Sequence, residues 1–217
     1  MILNWASTIA AKDNPFASHR VEAVTYRFAE ADWNSHIQRL VLMNWRGAIV
    51  GDQGSGKTTL MLEMKSRLNE GIAGEMSAYY CFVSRDSQEH AKELEQLFLA
   101  ASCGSVLLVD GIERLSWFLR RRLLRCEPER TRLVVTAHGT IGLPLWLHCQ
   151  TDWPLMQSVL EALVDSPDES LIQATLRLFK THRGNIRDVL RSLYDLWSAG
   201  TFTQHRECAV ETRYRAK

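Results

Sequence analysis

The sequence predicts an α/β fold, a three-layer sandwich with a mainly parallel sheet, followed by a small C-terminal helical unit. Three observations carry the prediction. Short apolar runs of strand length alternate with stretches of helical periodicity from Arg46 onward. The first run leads directly into a glycine-rich loop and a helix, Arg46 to Thr59 (RGAIVGDQGSGKTT). Beyond Thr151 the strand signals cease while helical ones continue. Strands alternating with helices imply right-handed crossovers and a parallel sheet covered on both faces.

The length of 217 residues suits one such domain with an appendage. With 26 Lys+Arg against 25 Asp+Glu, the formal net charge is +1, so any basic surface must be local. Cys81, Cys103, Cys126, Cys149 and Cys208 are odd in number, scattered and without a C-x-x-C pair, which points to reduced thiols. Neither they nor the seven histidines show metal-ligand spacing, so no zinc site is expected. The opening MILNWASTIAAKDNPF has no basic start followed by a long apolar core, and no apolar run approaches membrane-spanning length. The expected setting is cytoplasmic, with no membrane partner.

Residues 1–45 form an N-terminal lead-in segment, with a turn at Asn14-Pro15, a weak strand over Val21 to Phe28 and a helix over Glu30 to Asn44. Residues 46–151 form the core. Ala48-Ile49-Val50 is a strand, and Leu60, Met61, Met64 and Leu68 mark the helix after the loop, stopped by Gly71 and Gly74. Ala78 to Val83 is a buried strand, Asp86 to Ala101 an amphipathic helix, and Ser105 to Asp110 a strand ending in an acid. A further helix turns Ile112, Leu115, Phe118, Leu119 and Leu123 inward, and Arg132 to Thr136 is the next strand. Residues 152–200 are a helical lid of three helices: Trp153 to Val164, Pro167 to Thr181 with Ser166 as N-cap, and Ile186 to Ala199 capped by Asn185. Residues 201–217 are a polar tail.

The run Gly51-Asp52-Gln53-Gly54-Ser55-Gly56-Lys57-Thr58 satisfies G-x-x-x-x-G-K-[ST], with Thr59 following. Its glycines let successive backbone N–H groups converge on an anion at the positive end of the next helix. Lys57 is then expected to reach the β- and γ-phosphates and the Thr58 hydroxyl to ligate magnesium. Asp110, a carboxylate ending a buried strand, is expected to hold the same ion through water. Gly111 occupies the position directly after that acid, so Glu113 is the nearest candidate general base. Arg114, Arg120, Arg121, Arg122, Arg125, Arg130 and Arg132 are the strongest charge block. Arg114, Arg121 and Arg125 are expected on one helical face, a surface for nucleic-acid phosphates or an acidic partner.

These residues resemble a P-loop NTPase of the branch that sets an extra strand between the phosphate-loop and acidic strands, the branch of AAA+ proteins, STAND switches and ABC ATPases. The resemblance covers roughly residues 46–200. VLLVDGIERL resembles the STAND form, in which an acid follows the magnesium aspartate by a few residues. GNIRD at Gly184 to Asp188 resembles the second sensor of the AAA+ lid, which implies that Arg187 meets the γ-phosphate. His138, closing LVVTAH, resembles an AAA+ first sensor or an ABC switch histidine, with Thr136 beside it as the alternative; no LSGGQ precedes the acidic strand. The resemblance implies ATP and Mg2+ as ligands and an ATPase working as motor or switch on a protein partner, a nucleic acid or further copies of itself. GTP is disfavoured because no N-K-x-D or T-K-x-D follows the core strands. Two other functions fit the same loop: a small-molecule or nucleotide kinase, and a non-catalytic nucleotide-dependent interaction module, which Gly111 favours.

Overall fold

A computed structural model describes residues 13–26, 32–74, 76–83, 105–126 and 131–202. Its strands are β1 (Arg46–Gly51), β2 (Ala78–Phe82), β3 (Val106–Asp110), β4 (Arg132–Ala137) and β5 (Leu145–Cys149). Its helices are α1 (Ser18–Glu22), α2 (Trp33–Leu42), α3 (Lys57–Asn69), α4 (Trp117–Leu124), α5 (Trp153–Leu163), α6 (Glu169–Thr181) and α7 (Ile186–Ser198). By its contacts the chain divides into two units, Thr25–Gln150 and Met1–Val24 with Thr151–Lys217.

In the first unit, alternation along the strands sets the layers. Ile49, Val106, Leu108 and Val134 pack with Ile37 and Leu40 of α2 and with Leu60, Met61, Met64 and Leu68 of α3. Their neighbours Ala48, Leu107, Val109, Leu133 and Val135 pack with Ile112, Leu115 and Leu123 on the other face. Both faces are thus apolar, and the central strands read as continuous hydrophobic runs. The strands described pair in parallel throughout, in the order β2-β3-β4-β1-β5. β4 therefore lies between β1 and β3, the arrangement that the resemblance implies.

Several expectations are corrected. β5 is a strand that no periodicity marked: Trp146 and Cys149 turn inward, but exposed Leu145 and His148 interrupt the apolar run. The helix expected to run from Ile112 to Leu123 is broken. A short 3-10 turn, Ile112–Arg114, ends at extended Leu115, and Ser116 starts α4 by accepting a hydrogen bond from Leu119 N at 3.4 Å. The restart changes the helical phase, so Leu123 stays buried while Phe118 faces solvent. Arg114 accordingly leaves the face of Arg121 and Arg125, and its guanidinium donates to the Val83 carbonyl at 2.9 Å. The expected helix over Asp86 to Ala101 lies outside the described residues, as do Arg130, Cys103, Cys208 and the tail from residue 203.

In the second unit, Met156, Leu160, Leu171, Val189, Leu193 and Trp197 of α5, α6 and α7 share one core with Phe16. The strand expected from Val21 is replaced by α1, because Val21 and Val24 meet that core at helical i, i+3 spacing. Residues 27 and 28 of that expected strand are outside the described set. Asn14 anchors the segment: its side chain donates to Tyr194 O and Ser198 Oγ, each at 3.0 Å, and accepts from Phe16 N. The cap of α6 is Asp168, which accepts from Leu171 N at 2.8 Å, and not Ser166. Ser166 has φ 52°, a left-handed backbone unlike the extended one an N-cap needs. Asn185 caps α7 by accepting from Asp188 N at 3.3 Å, as expected. Among the described residues no helix is long and apolar enough to cross a membrane.

Candidate phosphate-binding site

Helix α3 starts where β1 ends, and its first turn differs from that of the other helices of eight or more residues. Asp32, Ser116, Asp152, Asp168 and Asn185 each cap a helix with a side-chain oxygen. α3 instead starts from Gly56, at φ 85°, with no side-chain cap. The first N–H groups of this helix are left for another acceptor, at the end where the helix dipole is positive. Gly51 is a site of close approach: a Cβ there would stand 2.3 Å from the Cys149 carbonyl oxygen and 2.7 Å from Ser55 Oγ. Ser55 Oγ is buried and has no hydrogen-bond partner among the described residues. A buried hydroxyl without a partner costs about 1–3 kcal/mol, so this donor, too, has a use for an anion.

Lys57 lies over the loop. Its Nζ donates to the carbonyls of Gly51 and Asp52, both at 2.7 Å. Burial lowers the pKa of its ammonium, against which the charges of Cys149, Glu113, Asp110 and Asp52 act. His138 Nδ1 lies 3.1 Å from Gly51 O and 3.5 Å from Lys57 Nζ. Only one of these contacts can be a hydrogen bond at a time, because the first needs a proton on Nδ1 and the second a lone pair.

The acidic side is built from β2, β3 and β4. Asp110 is buried, with Tyr80 Oη donating to Oδ2 at 3.2 Å and Thr136 Oγ1 donating to Oδ1 at 2.5 Å. Thr136 Oγ1 in turn accepts from Gly111 N at 2.7 Å, so one hydroxyl ties the acid to the turn behind it. Burial, then the adjacent Asp110, raises the Tyr80 phenol, which keeps the proton it donates. Glu113, in the 3-10 turn, accepts from the backbone N–H of His138.

Lys57, Asp110, Glu113 and His138 are thus gathered at the carboxyl ends of the adjacent strands β1, β3 and β4, the end of an open parallel sheet where ligands bind. Thr58 and Thr59 follow in the first turn of α3. Thr136, weighed as a γ-phosphate contact, is buried and its hydroxyl is committed to Asp110 and Gly111. Arg187 belongs to the other unit, exposed in the first turn of α7 and without an ion pair among the described residues. Asp188, beside it, accepts instead from Asn185 Nδ2 at 2.7 Å.

Tyr80 and Tyr26 went unnoticed in the sequence. The parallel register sets Tyr80 beside Leu108, which shares a face with Asp110, and that register is invisible in one strand alone. A Cβ on Gly56 would meet the Tyr26 ring at 3.4 Å, and Tyr26 Oη lies 3.8 Å from Cys149 Sγ. Burial raises both of these groups.

The donors present suit a hard cation. The Thr58 hydroxyl and the Asp110 carboxylate offer oxygen, and each Asp110 oxygen has used one of its lone pairs. Among the described residues no group of three or more His, Cys, Asp or Glu could hold a metal alone.

No protein-family model matches the chain, and no curated protein matches it. Among solved structures it is similar to a lysine-to-arginine mutant of Thermotoga maritima RuvB, at 15% identity and a TM-score of 0.49, over 80% of this chain and 64% of that one. It is also similar to an alanine-to-serine mutant of that RuvB, at 13% identity and a TM-score of 0.42, over 76% of this chain and 69% of that one. The chain therefore spans less than two thirds of the first structure's length. Its fold, an α/β architecture built on a five-stranded parallel sheet among the described residues, follows from the strand order and registers.

Proposed function

We propose that the chain binds ATP at the start of α3 and hydrolyses it with Mg2+, using the cycle as a motor stroke or switch on a macromolecular partner or on further copies of itself. One observation carries this reading: α3 alone among the longer described helices lacks a side-chain cap, and Lys57, Asp110, Glu113 and His138 surround its start. In this reading the backbone N–H groups from Gly51 to Thr59 and the Ser55 hydroxyl donate to phosphate oxygens. Lys57 exchanges its two loop carbonyls for the β- and γ-phosphates, a charge-assisted pairing stronger than the one it leaves. Thr58 and Asp110 would hold the magnesium, which supplies positive charge against the phosphates when bound. Thr136 and Tyr80 fix the Asp110 carboxylate for that task.

Hydrolysis then needs a base. Glu113 takes a proton from the attacking water as its oxygen bonds to the γ-phosphorus and the bond to the ADP oxygen breaks. Its Oε1 accepts from the His138 amide, which ties the base to the strand tip where His138 meets the γ-phosphate side of the site, and Oε2 is the oxygen that takes the proton. The resemblance of GNIRD to a second sensor nominates Arg187 as a γ-phosphate contact. Gly111, directly after Asp110 where a base is usual, favours a second reading, a nucleotide-dependent switch that binds ATP without hydrolysing it.

Calorimetric titration of ATP·Mg2+ into the parent and Lys57→Ala tests the site. The variant is expected to lose tight binding, because the cation in the cradle disappears while the backbone donors remain. Unchanged affinity overturns the nucleotide reading. Phosphate release by the parent and by Asp110→Asn separates the ATPase from the non-hydrolysing switch.

A further inference from the structure

Helix α4 has two unlike sides. Leu123 is buried and Leu119 and Leu124 pack beside it, while Trp117 and Phe118 are 64% and 67% exposed. Residues 117, 121 and 125 recur at i, i+4 spacing, so Trp117, Arg121 and Arg125 line one outer stripe with Phe118 beside it. The Arg121 guanidinium lies 5.2 Å from the centre of the Trp117 ring. Just before the helix, Arg114 covers the ring of exposed Phe82 at 5.3 Å. From Arg114 to Cys126 the chain has five arginines and no acid. Glu113, preceding them, is engaged with the His138 amide, and Glu127 and Glu129 follow in the sequence.

Single exposed aromatics are ordinary on a surface. Two adjacent ones on an acid-free arginine helix, beside a second arginine-aromatic stack, combine two demands on a partner. The arginines want a polyanion, which duplex and single strands supply alike. The rings want flat faces free to stack, and in a duplex the bases already stack on one another, whereas in a single strand they are free.

We infer that this face of α4, with Arg114 and Phe82, binds single-stranded nucleic acid, the arginines following the phosphates and Trp117 and Phe118 stacking on bases. The inference names a partner for the proposed ATP cycle but rests on this surface alone, and it is readable without nucleotide.

Fluorescence anisotropy of labelled oligothymidylate, oligouridylate and a DNA duplex of the same length, titrated with the full chain at several salt concentrations, tests it. At least one single strand is expected to bind about tenfold or more tighter than the duplex. The two single strands distinguish a DNA partner from an RNA one. Trp117→Ala with Phe118→Ala should weaken that binding about tenfold or more while keeping its salt dependence. Arg121→Gln with Arg125→Gln should flatten the slope of log K against log salt by about 1.4, the share of two phosphate contacts on a single strand. All four side chains lie on the outer side of α4, and circular dichroism with ATP affinity checks that each variant is folded. Duplex binding as tight as single-strand binding overturns the inference, as does unchanged binding by the aromatic variant. Absence of strand binding together with self-association that the aromatic variant loses would assign the surface to a second copy and overturn it as well. ATP affinity on the same samples keeps the two readings apart: a chain that binds ATP and no strand refutes only this one.

Discussion

Replacing Thr136 by valine removes one hydroxyl from a buried strand with little change of shape. That hydroxyl donates to Asp110 Oδ1 and accepts from Gly111 N at 2.7 Å. The variant therefore loses a hydrogen bond to a charged group, about 1.5–3 kcal/mol, and strands the Gly111 N–H, about 1–3 kcal/mol. Against this, burying a methyl in place of a hydroxyl recovers about 1–3 kcal/mol of desolvation. A net loss of about 1.5–3 kcal/mol is expected. In urea, with a slope of about 1–3 kcal/mol per molar for small proteins, the midpoint should fall by about 1–2 M. Tryptophan fluorescence follows the transition, since Trp33, Trp45, Trp117 and Trp146 all belong to the sheet unit. Thr136→Ser is the control, because it keeps both hydrogen bonds and loses only a methyl. A valine variant within about 0.5 kcal/mol of the parent, the usual range for substitutions away from such features, would refute the claim that this hydroxyl holds Asp110.

Glu113→Gln keeps an oxygen to accept from the His138 amide but cannot take a proton, so ATP should still bind while phosphate release falls about 10²-fold or more; turnover equal to the parent's returns Glu113 to a structural acid. Arg187→Ala should weaken ATP by on the order of 1.5–3 kcal/mol, the scale of a hydrogen bond to a charged group, and ADP by much less. Calorimetry with both nucleotides decides that point, and equal losses refute a γ-phosphate contact. Burial raises the Cys149 thiol above its ordinary value of 9.0, so the folded chain keeps a proton that the unfolded chain has released, and stability falls as pH climbs from there. Lys57, lowered by burial, acts in the opposite sense as pH nears 10.5. The thiol's share is therefore read as a difference: the urea midpoint of Cys149→Ser should fall less between about pH 8 and pH 10 than that of the parent, and identical falls count against a raised thiol.

The glycine-rich loop was legible because its residues are contiguous: glycine spacing, the lysine and the start of α3 are decided within one strand, one turn and one helix. The strands β1, β3 and β4 were legible for a similar reason, since a strand buried on both faces must be apolar throughout. Asp110 stood out as the one acid ending such a run. β5 did not, because an outer strand can carry exposed residues, and its His148 and Leu145 hid the pattern.

Pairing across the chain was beyond one sequence. Periodicity alone assigned residues 21–28 to a strand, but the core of α5, α6 and α7 takes Val21 and Val24 from a helical turn. It also ran one helix from Ile112 to Leu123, whereas the break at Leu115 and the cap at Ser116 turned Phe118 from core to surface. Apolar spacing fixes the side of a helix only within an unbroken stretch, and one extended residue resets the phase. Tyr80 and Thr136 reach Asp110 because β2 and β4 flank β3 in the sheet, with Tyr80 beside Leu108 and Val134 beside Leu108 on the other side. Local residues thus determined that a glycine-rich loop leads into α3 and that a buried acid ends β3; the strand order decided which side chains surround that acid, because hydrogen bonds between segments distant in sequence exist only once the sheet has aligned them.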